Sequence, residues 1–257
     1  MFSAMRTVSL VQDGLRKGQS ARYSVHLASS EEEVLKAQRL RFLVFNLELN
    51  EGLQSAFDDG YDRDPFDAVC DHLLVEDNRT GEVVGTYRLQ SGPTAAQALG
   101  YYSEQEFNFG PYEKIRSEVL ELGRACVHRD HRSFEVLNLL WKGIAQYAHA
   151  MGARYLVGCS SLTSQDPSDG WSVFNRLRDY LCDDSLLTVP KPGFRLQHMD
   201  LTTEKDPPRL LRGYLAMGGR ICGPPAIDRD FKTIDFLTLL DLQTLPPSIR
   251  ARYLGTR

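Results

Sequence analysis

The segment Glu118-Val-Leu-Glu-Leu-Gly-Arg-Ala-Cys-Val-His-Arg-Asp-His-Arg-Ser133 constrains the fold more than any other part of this chain. Its apolar, strand-like start carries one carboxylate, Glu121, and one guanidinium, Arg124. A short basic loop runs from His128 to Ser133, and a helical pattern follows from Phe134 to Met151. Such a loop before a helix N-terminus suits a phosphate-bearing ligand, and a strand carboxylate can act as a base beside it. A buried strand with an Arg–Glu pair and a solvated turn is the alternative interpretation.

Composition narrows the class of protein. The 257 residues are enough for one large domain or two small ones, and 42% hydrophobic residues predict a substantial buried core. The net charge of −4 gives the chain no nucleic-acid signature. The cysteines are odd in number and form no CxxC pair, which indicates reduced thiols in a cytoplasmic protein rather than a disulfide or zinc framework. They are Cys70, Cys126, Cys159, Cys182 and Cys222.

No membrane-spanning or secretory segment is expected. The first thirty residues lack an apolar core, and no run of about 18 apolar residues occurs. Arg209–Leu215 and Ile249–Leu254 mix Arg with Leu and Tyr, a composition that suits weak binding at an anionic surface. We therefore expect a cytoplasmic protein with peripheral contact at the cytoplasmic face of the inner membrane, led by the C-terminal segment. The alternative is that these apolar side chains face the core.

The order of patterns predicts one α/β domain over residues 23–257, preceded by an arm over residues 1–22. Ser30 and Glu33 form a capping-box pattern before a helix that extends to Leu47. Two strands joined by Asn78–Gly81, the strand containing Glu121, a helix and a further strand follow. Residues 163–208 are rich in Pro, Asp and Ser and are predicted to be an insertion between the fifth strand and a late helix. Together the patterns predict a central mixed, twisted sheet flanked by helices.

Several motifs carry a resemblance to known families. Arg41-Phe-Leu-Val-Phe45, Asp62-x-Asp64-x-x-Asp67, Gly85-x-x-Arg88-Leu89 and Glu121-x-x-Arg124 have the order and spacing of the acyl-homoserine-lactone synthase signature, with Asp62 where those synthases usually carry Glu. Other phrases are similar to ornithine lipid synthases, the hemolysin-like branch of the GCN5-related N-acetyltransferase (GNAT) superfamily. These are Asp67–Val75, Leu139–Gly143, Gly158–Leu162, Pro208–Leu215 and Asp228–Asp235. The resemblance covers roughly residues 23 to 256.

The resemblance implies a GNAT-like fold and an N-acyltransferase. The implied reaction moves a 3-hydroxyacyl group from the phosphopantetheine thioester of acyl carrier protein, or from acyl-CoA, to the α-amine of ornithine, giving lyso-ornithine lipid. No tightly bound cofactor is implied. Glu121 is the implied base, and Tyr214 stands where many members of the fold place a tyrosine that protonates the leaving thiolate; a Tyr packed on the sheet is the alternative. The alternative functions are a homoserine-lactone signal synthase and a non-catalytic module that binds acyl carrier protein.

An acceptor-side cluster is predicted from the signature residues. Asp64 and Asp67 can pair with basic residues and order a loop over the binding groove, and such a cluster can also recognise a cationic amino acid. Asp62 is the weakest of the three aspartates in this interpretation. A calcium loop is excluded because Gly60 is misplaced and no Glu falls at the twelfth position, whereas a solvated acidic turn stays open. The predicted substrate-binding residues are Arg41, Phe45, Asp64, Asp67, Arg88 and Arg124.

A donor site is predicted in the loop after the central strand. Its bulky basic side chains suit the acidic surface of an acyl carrier protein. Cys126-x-His128-x-x-His131 resembles a metal motif, but it lacks a fourth ligand, so no metal is predicted. Cys126 and Cys159 are interpreted as core residues, and no nucleophile elbow is present. The predicted donor-binding residues are Val127, His128, Arg129, His131, Arg132 and Ser133.

Overall fold

A computed structural model describes residues 21–199 and 204–254. Its strands are β1 (Tyr23–Leu27), β2 (Asp71–Asp77), β3 (Glu82–Ser91), β4 (Val119–Val127), β5 (Tyr155–Leu162), β6 (Arg220–Ile221), β7 (Ala226–Asp228) and β8 (Thr233–Asp241). Within the described residues they form one sheet in the order β1-β2-β3-β4-β5-β8-β6, with β7 also paired to β8. β4 and β5 run parallel, and the other paired strands run antiparallel.

Helices and short turns cover the sheet. The α-helices are α1 (Glu31–Arg41), α2 (Gly92–Gln97), α3 (Phe134–Ala150), α4 (Pro167–Arg176), α5 (Arg209–Ala216) and α6 (Pro247–Tyr253). A π-helix, Phe42–Glu48, continues α1. The 3-10 helices are Gln54–Phe57, Pro65–Ala68, Ser103–Gln105, Gly110–Glu118, Arg129–His131, Arg178–Tyr180, Asp184–Leu186 and Pro192–Phe194. α3 packs its apolar stripe on one face of the sheet, whereas aromatic residues of the 101–112 segment cover the opposite face.

The predicted mixed α/β sheet and most of its elements are confirmed. Ser30 caps α1 by accepting the backbone N–H of Glu33, but the Glu33 carboxylate turns to Ser29 instead of completing the predicted box. The predicted helix up to Leu47 is α-helical only as far as Arg41, and the π-helix begins at Phe42. β1 and β7 were not predicted. Residues 1–20 of the predicted arm lie outside the described residues, and the division into arm and domain stays a prediction.

The apolar side chains of the C-terminal segment pack against the protein, which was the alternative to a contact with a membrane. Ile249 and Leu254 pack against the core on the α3 side, and the ring centroid of Tyr253 lies 6.2 Å from that of Trp141. These apolar side chains therefore face the protein, because packing against the core removes their apolar surface from water. Among residues 21–199 and 204–254, no helix combines the length and apolar composition needed to cross a bilayer.

A divergence between β4 and β5 opens the middle of the sheet. The two strands pair only at Val119–Glu121 with Tyr155–Val157. Beyond this point a bulge interrupts the β3–β4 register, and Arg124 adopts a left-handed conformation with φ of 49°. A bulge bends its strand, and left-handed backbone costs a residue with a side chain about 1–2 kcal/mol. At Gly158, a Cβ would lie 2.1 Å from the Leu122 carbonyl oxygen. Glycine therefore permits the close contact of the two strands just before they diverge.

Candidate active site

A cavity of about 710 Å³ lies where β4 and β5 diverge. Leu120 and Leu122 pack toward α3, so by strand alternation Val119 and Glu121 face the other side of the sheet. The cavity wall includes residues from both sides. Its apolar residues toward α3 and α5 are Leu122, Leu137, Leu140, Trp141, Leu210 and Met217, and its polar residues on the opposite side are Gln90, Glu121, Ser161 and Asp235. The cavity therefore passes through the sheet from an apolar to a polar half.

Glu121 is buried in the polar half and held by the backbone. Its Oε2 accepts the N–H of Tyr102 and its Oε1 accepts the N–H of Ser103, each at 2.8 Å, at the start of the 3-10 helix Ser103–Gln105. Burial raises the pKa of Glu121, although these two N–H groups oppose the increase. The Ser103 hydroxyl also contacts this carboxylate, and because a carboxylate has about four lone-pair sites it can still accept an incoming ammonium or water. The Glu121 side chain is therefore held in place and lines the cavity, and its pKa is raised above that of an exposed Glu. These are properties that a general base requires.

Six predicted or neighbouring charged residues form a closed network, the Arg–Asp cluster. Arg41 Nε lies 2.8 Å from Asp62 Oδ1, and Arg41 Nη2 lies 2.6 Å from Asp67 Oδ2. Arg88 Nη1 bridges Asp64 and Asp67 at 2.6 and 2.9 Å. Arg124 Nη2 lies 2.8 Å from Asp64 Oδ2, and its Nε lies 3.4 Å from Asp62 Oδ1. Each arginine thus meets two aspartates, so the positive and negative charges balance inside the cluster.

The Arg–Asp cluster supports the cavity wall. Arg88 and Arg124 line the cavity, whereas Arg41, Asp64 and Asp67 lie behind them. Burial opposes ionisation of Asp64 and Asp67, but the surrounding arginines outweigh it and lower the pKa of both groups. Because the folded-state pKa lies below the unfolded value of about 3.9, the resulting stabilisation is present above pH 4 and is lost as the pH falls through the folded-state pKa.

Asp62, which the sequence ranked as the weakest of the three aspartates, is the most buried member of the cluster. It is fully buried, with 0% exposure, and it joins Arg41 to Arg124. The solvated acidic turn is wrong for the three aspartates of the cluster, although Asp58 and Asp59 on the same segment are exposed. The alternative role of the cluster in recognising a cation has no support in the geometry, because its carboxylates are already paired. Phe45 is buried and lines the cavity, with its ring centroid 5.3 Å from that of Phe231.

The basic loop, His128–Ser133, lies at the N-terminus of α3 beside the apolar half. Val127 and Arg132 line the cavity, and Ser133 caps α3 by accepting the N–H of Val136. Arg132 forms an ion pair with Glu48 at 2.7 Å, and His131 Nδ1 lies 3.0 Å from the Tyr23 hydroxyl. The structure therefore gives these basic groups protein partners that the sequence did not reveal.

The remaining groups of the basic loop are more open. The side chain of Arg129 is 72% exposed, and within residues 21–199 and 204–254 it forms an ion pair only with its neighbour Asp130, at 3.8 Å. His128 Nδ1 accepts the backbone N–H of Asp130 at 3.3 Å and is partly exposed. Arg129 is thus the most available cation of the loop for a donor.

Tyr214 faces the cavity from α5. Its hydroxyl lies 3.2 Å from the Tyr87 hydroxyl, and its ring packs edge-on against Trp141. Burial, together with Tyr87, raises the pKa of Tyr214 well above its ordinary value, so this phenol stays protonated. Burial also raises the pKa of the Cys126 and Cys159 thiols, which keeps both as thiols rather than nucleophilic thiolates.

Further polar residues in the cavity wall were not predicted as site residues. Gln90 pairs with Glu121 across β3 and β4, and its buried side-chain amide has no hydrogen-bond partner among the described residues. Glu51, Asp228 and Asp235 also line the cavity. These residues come from separate segments, so only the tertiary structure brings them together.

Comparisons with known proteins identify the fold and the family. Residues 40–142 match the family model described as an acetyltransferase (GNAT) domain. The LasI acyl-homoserine-lactone synthase superposes with a TM-score of 0.54 at 14% identity, covering 92% of this chain and 96% of that one. FeeM, an N-acyl amino acid synthase from uncultured soil microbes, also gives a TM-score of 0.54, at 10% identity over 91% of this chain and 95% of its own. At these identities the two structures show the shared fold alone.

Similarity over nearly the whole chain shows the family. An L-ornithine N(alpha)-acyltransferase from Brucella abortus (strain 2308) is 31% identical over 265 residues, which span 95% of this chain and 91% of the relative. The enzyme of the same name from Rhodobacter capsulatus is 31% identical over 90% of this chain and 94% of the relative. The chain therefore belongs to the L-ornithine N(alpha)-acyltransferase family and is an acyltransferase with the GNAT fold.

Proposed function

We propose that this acyltransferase moves a fatty acyl group, such as a 3-hydroxyacyl group, from the phosphopantetheine thioester of acyl carrier protein to the α-amine of ornithine, giving lyso-ornithine lipid. The observation that carries the proposal is the cavity through the sheet, with apolar walls on the α3 side and Glu121 on the other. The apolar half suits the acyl chain and the polar half suits an amino acid. The names of the relatives support ornithine as the acceptor.

The reaction requires removal of a proton before attack. An α-amine has a reference pKa near 8 and is mostly an ammonium at neutral pH. Glu121 accepts a proton from it, directly or through one water, and the freed amine attacks the thioester carbonyl. The C–N bond forms and the C–S bond breaks, so the products are the amide, the free pantetheine thiol and one released proton. No covalent enzyme intermediate is needed.

Tyr214 is proposed to assist the leaving group. It lies on the α3 and α5 side of the cavity, where the thioester sulfur of a donor in the apolar half would arrive. Because the Tyr214 phenol stays protonated, it can donate a hydrogen bond to the sulfur as negative charge develops there. Its contact with the Tyr87 hydroxyl provides a route for replacing the proton.

We also infer peripheral contact with the cytoplasmic face of a membrane. The five free cysteines suit a reducing compartment, and the proposed product is amphiphilic. Leu137 and Leu210 line the cavity yet are 46% and 39% exposed, and Phe134 at the start of α3 is 63% exposed. These residues, rather than the C-terminal segment, are the apolar side chains that a membrane surface would meet beside the cavity.

The basic loop is proposed to receive the donor. Changing both Arg129 and Arg132 to Glu is expected to raise the apparent KM for acyl carrier protein about tenfold at low salt, with a much smaller change in kcat, because surface charges mainly affect association. The wild-type KM should rise similarly with salt, since such steering is screened over about 10 Å at 0.1 M ionic strength. Steady-state kinetics with acyl carrier protein and acyl-CoA as alternative donors measures this.

A matched control is the Arg79→Glu/Lys114→Glu pair, which makes the same charge change at two other exposed positions. This control should leave the donor KM unchanged. A donor KM that ignores both the loop reversal and salt would show that the basic loop does not contact the carrier. A response seen with acyl-CoA alone would identify acyl-CoA as the donor.

The overall reaction is tested directly. Purified protein is incubated with 3-hydroxyacyl carrier protein and ornithine, and the products are identified by mass spectrometry. The proposal requires an amide at the α-amine of ornithine together with the free carrier thiol. Formation of an acyl-homoserine lactone from S-adenosylmethionine instead, or binding of the carrier without any transfer, would contradict it.

A further inference from the structure

Four buried carboxylates in the polar half of the cavity form what we term the acidic pocket: Glu51, Glu106, Asp228 and Asp235. Their exposures are 5%, 2%, 6% and 4%. Three of them line the cavity, and Glu106 lies close to Asp235 and Cys159, with ligand atoms within 4.8 Å of one another. Among residues 21–199 and 204–254, the ion pairs involve none of these four carboxylates.

Protein groups satisfy the acidic pocket only in part. Thr163 donates to Glu51, and the N–H groups of Asp230 and Phe231 donate to Asp228 Oδ1 at 2.9 and 2.8 Å. The Thr233 hydroxyl donates to Asp235 Oδ2 at 3.3 Å. Asp235 Oδ1 and both carboxylate oxygens of Glu106 have no other protein donor among the described residues, and these two neighbouring carboxyl groups can share a proton. Buried carboxylates without partners are costly, so such groups take up protons or bind a cation.

The ionisation of the pocket reflects this shortage of positive charge. Burial raises the pKa of Glu51 to about 7 and that of Asp235 to about 6. Burial and the neighbouring carboxylates also raise the pKa of Glu106 well above its ordinary value. A bound cation would reverse this balance by favouring the charged carboxylates. The contrast with the Arg–Asp cluster is direct, since that cluster carries its own cations.

The acidic pocket lies on the same face of the sheet as Glu121. Glu121 pairs with Val157 of β5, and Ser161, four residues further along β5, pairs with Asp235 of β8. Paired residues share a face, and four residues of strand span about 13 Å. Cys159 lies midway, and its Sγ lies 3.5 Å from Ser103 Oγ. Glu121 and the acidic pocket therefore lie at opposite ends of one stretch of the cavity, and a ligand in that stretch can contact both.

We infer that the acidic pocket binds the side-chain ammonium of the acceptor amino acid and so places its α-amine at Glu121. This inference rests on the proposed acyl transfer to an amino acid. An acceptor with an amine at each end matches a cavity with a base at one end and unpaired carboxylates at the other. Asp235 contributes most, because it lines the cavity, is almost fully buried and keeps one carboxylate oxygen unpaired.

Two acceptors that differ only in the side-chain amine test the inference. Norvaline has the carbon skeleton of ornithine without the δ-amine. Asp235→Asn is expected to lower kcat/KM for ornithine about 30-fold or more, the usual cost of removing one partner of a buried charge pair. The same variant should leave kcat/KM for norvaline within about threefold, and that retained activity would show that the variant is folded. Asp230→Asn, which alters an exposed carboxylate nearby, is the matched control and should change neither value.

Equal loss with both acceptors, or a wild-type enzyme that uses norvaline as well as ornithine, would overturn the inference while leaving acyl transfer intact. If lysine or another diamino acid replaces ornithine and depends on Asp235, the inference stands and the assignment of ornithine fails. If no amino acid is acylated, calorimetric binding decides: ornithine must bind the wild type more tightly than norvaline, and Asp235→Asn must remove the difference. Restoration of activity by a divalent metal after chelation would identify the pocket as a metal site instead and would contradict the inference.

Discussion

A Glu121→Gln variant is expected to transfer acyl groups roughly 10²–10⁴-fold more slowly than the wild type, the range found when a positioned general base is removed. Glutamine keeps the size of the side chain but cannot accept the proton of the acceptor ammonium. Single-turnover rates with saturating donor and acceptor measure the effect. Glu82→Gln removes an exposed carboxylate on β3 and serves as the control.

The backbone contacts of Glu121 require a second readout. Glutamine offers one acceptor oxygen, so one of the N–H groups of Tyr102 and Ser103 loses its partner, and the loop can shift. A catalytic role predicts that the deficit shrinks as the pH rises past the amine pKa near 8, because the amine then loses its proton to solvent. A purely structural role predicts a deficit that is independent of pH. Wild-type turnover in the folded variant would remove Glu121 from the mechanism.

The local part of the structure could be predicted from the sequence. β4, the basic loop and α3 form one continuous segment in which an apolar strand pattern, basic residues and helical spacing follow one another. The motifs also placed Arg41, Arg88 and Arg124 near Asp64 and Asp67, and the structure brings these residues together. Local pattern and motif spacing were sufficient here because each element is specified by its own residues.

The acidic pocket and the opening in the sheet could not be predicted in this way. Glu51 follows the π-helix, Glu106 lies in a loop and Asp235 lies on β8, so the pocket depends on strand order and register rather than on any local pattern. Asp235 belongs to one of the segments that are similar to ornithine lipid synthases. The residues beside it in sequence, however, do not distinguish a buried carboxylate from a solvated one. The divergence of β4 and β5 likewise depends on a bulge at Arg124, a residue type that does not signal left-handed backbone.

The charge of the loop surface could not be predicted from the sequence either, because the partner of Arg132 is distant in the chain. The loop is mostly basic in sequence, yet Glu48, 84 residues earlier, neutralises Arg132. The surface that steers a donor is therefore set by Arg129 more than by the count of basic residues. Steering depends on the net field of the folded surface, which sequence neighbours alone do not determine.

An Asp62→Asn variant is expected to lower the free energy of unfolding by about 3–5 kcal/mol, the cost of removing one partner from a buried ion pair. Asp62 has 0% exposure and lies between Arg41 and Arg124, so its loss leaves two buried guanidinium groups without part of their counter-charge. Domains of this kind are stable by about 5–15 kcal/mol, so the variant should fold but unfold at much lower urea concentrations.

The matched control lies on the same segment. Asp59 pairs with Arg63 at the surface, where its side chain is 43% exposed, and Asp59→Asn should change the free energy of unfolding by no more than about 1 kcal/mol. Equilibrium urea denaturation of both variants, followed by far-UV circular dichroism, compares them under one condition. Equal stability of Asp62→Asn and wild type would mean that the Arg–Asp cluster does not depend on its most buried member. The stability assigned to the cluster would then have to come from Asp64 and Asp67, whose lowered pKa values already show strong pairing with Arg88, Arg124 and Arg41.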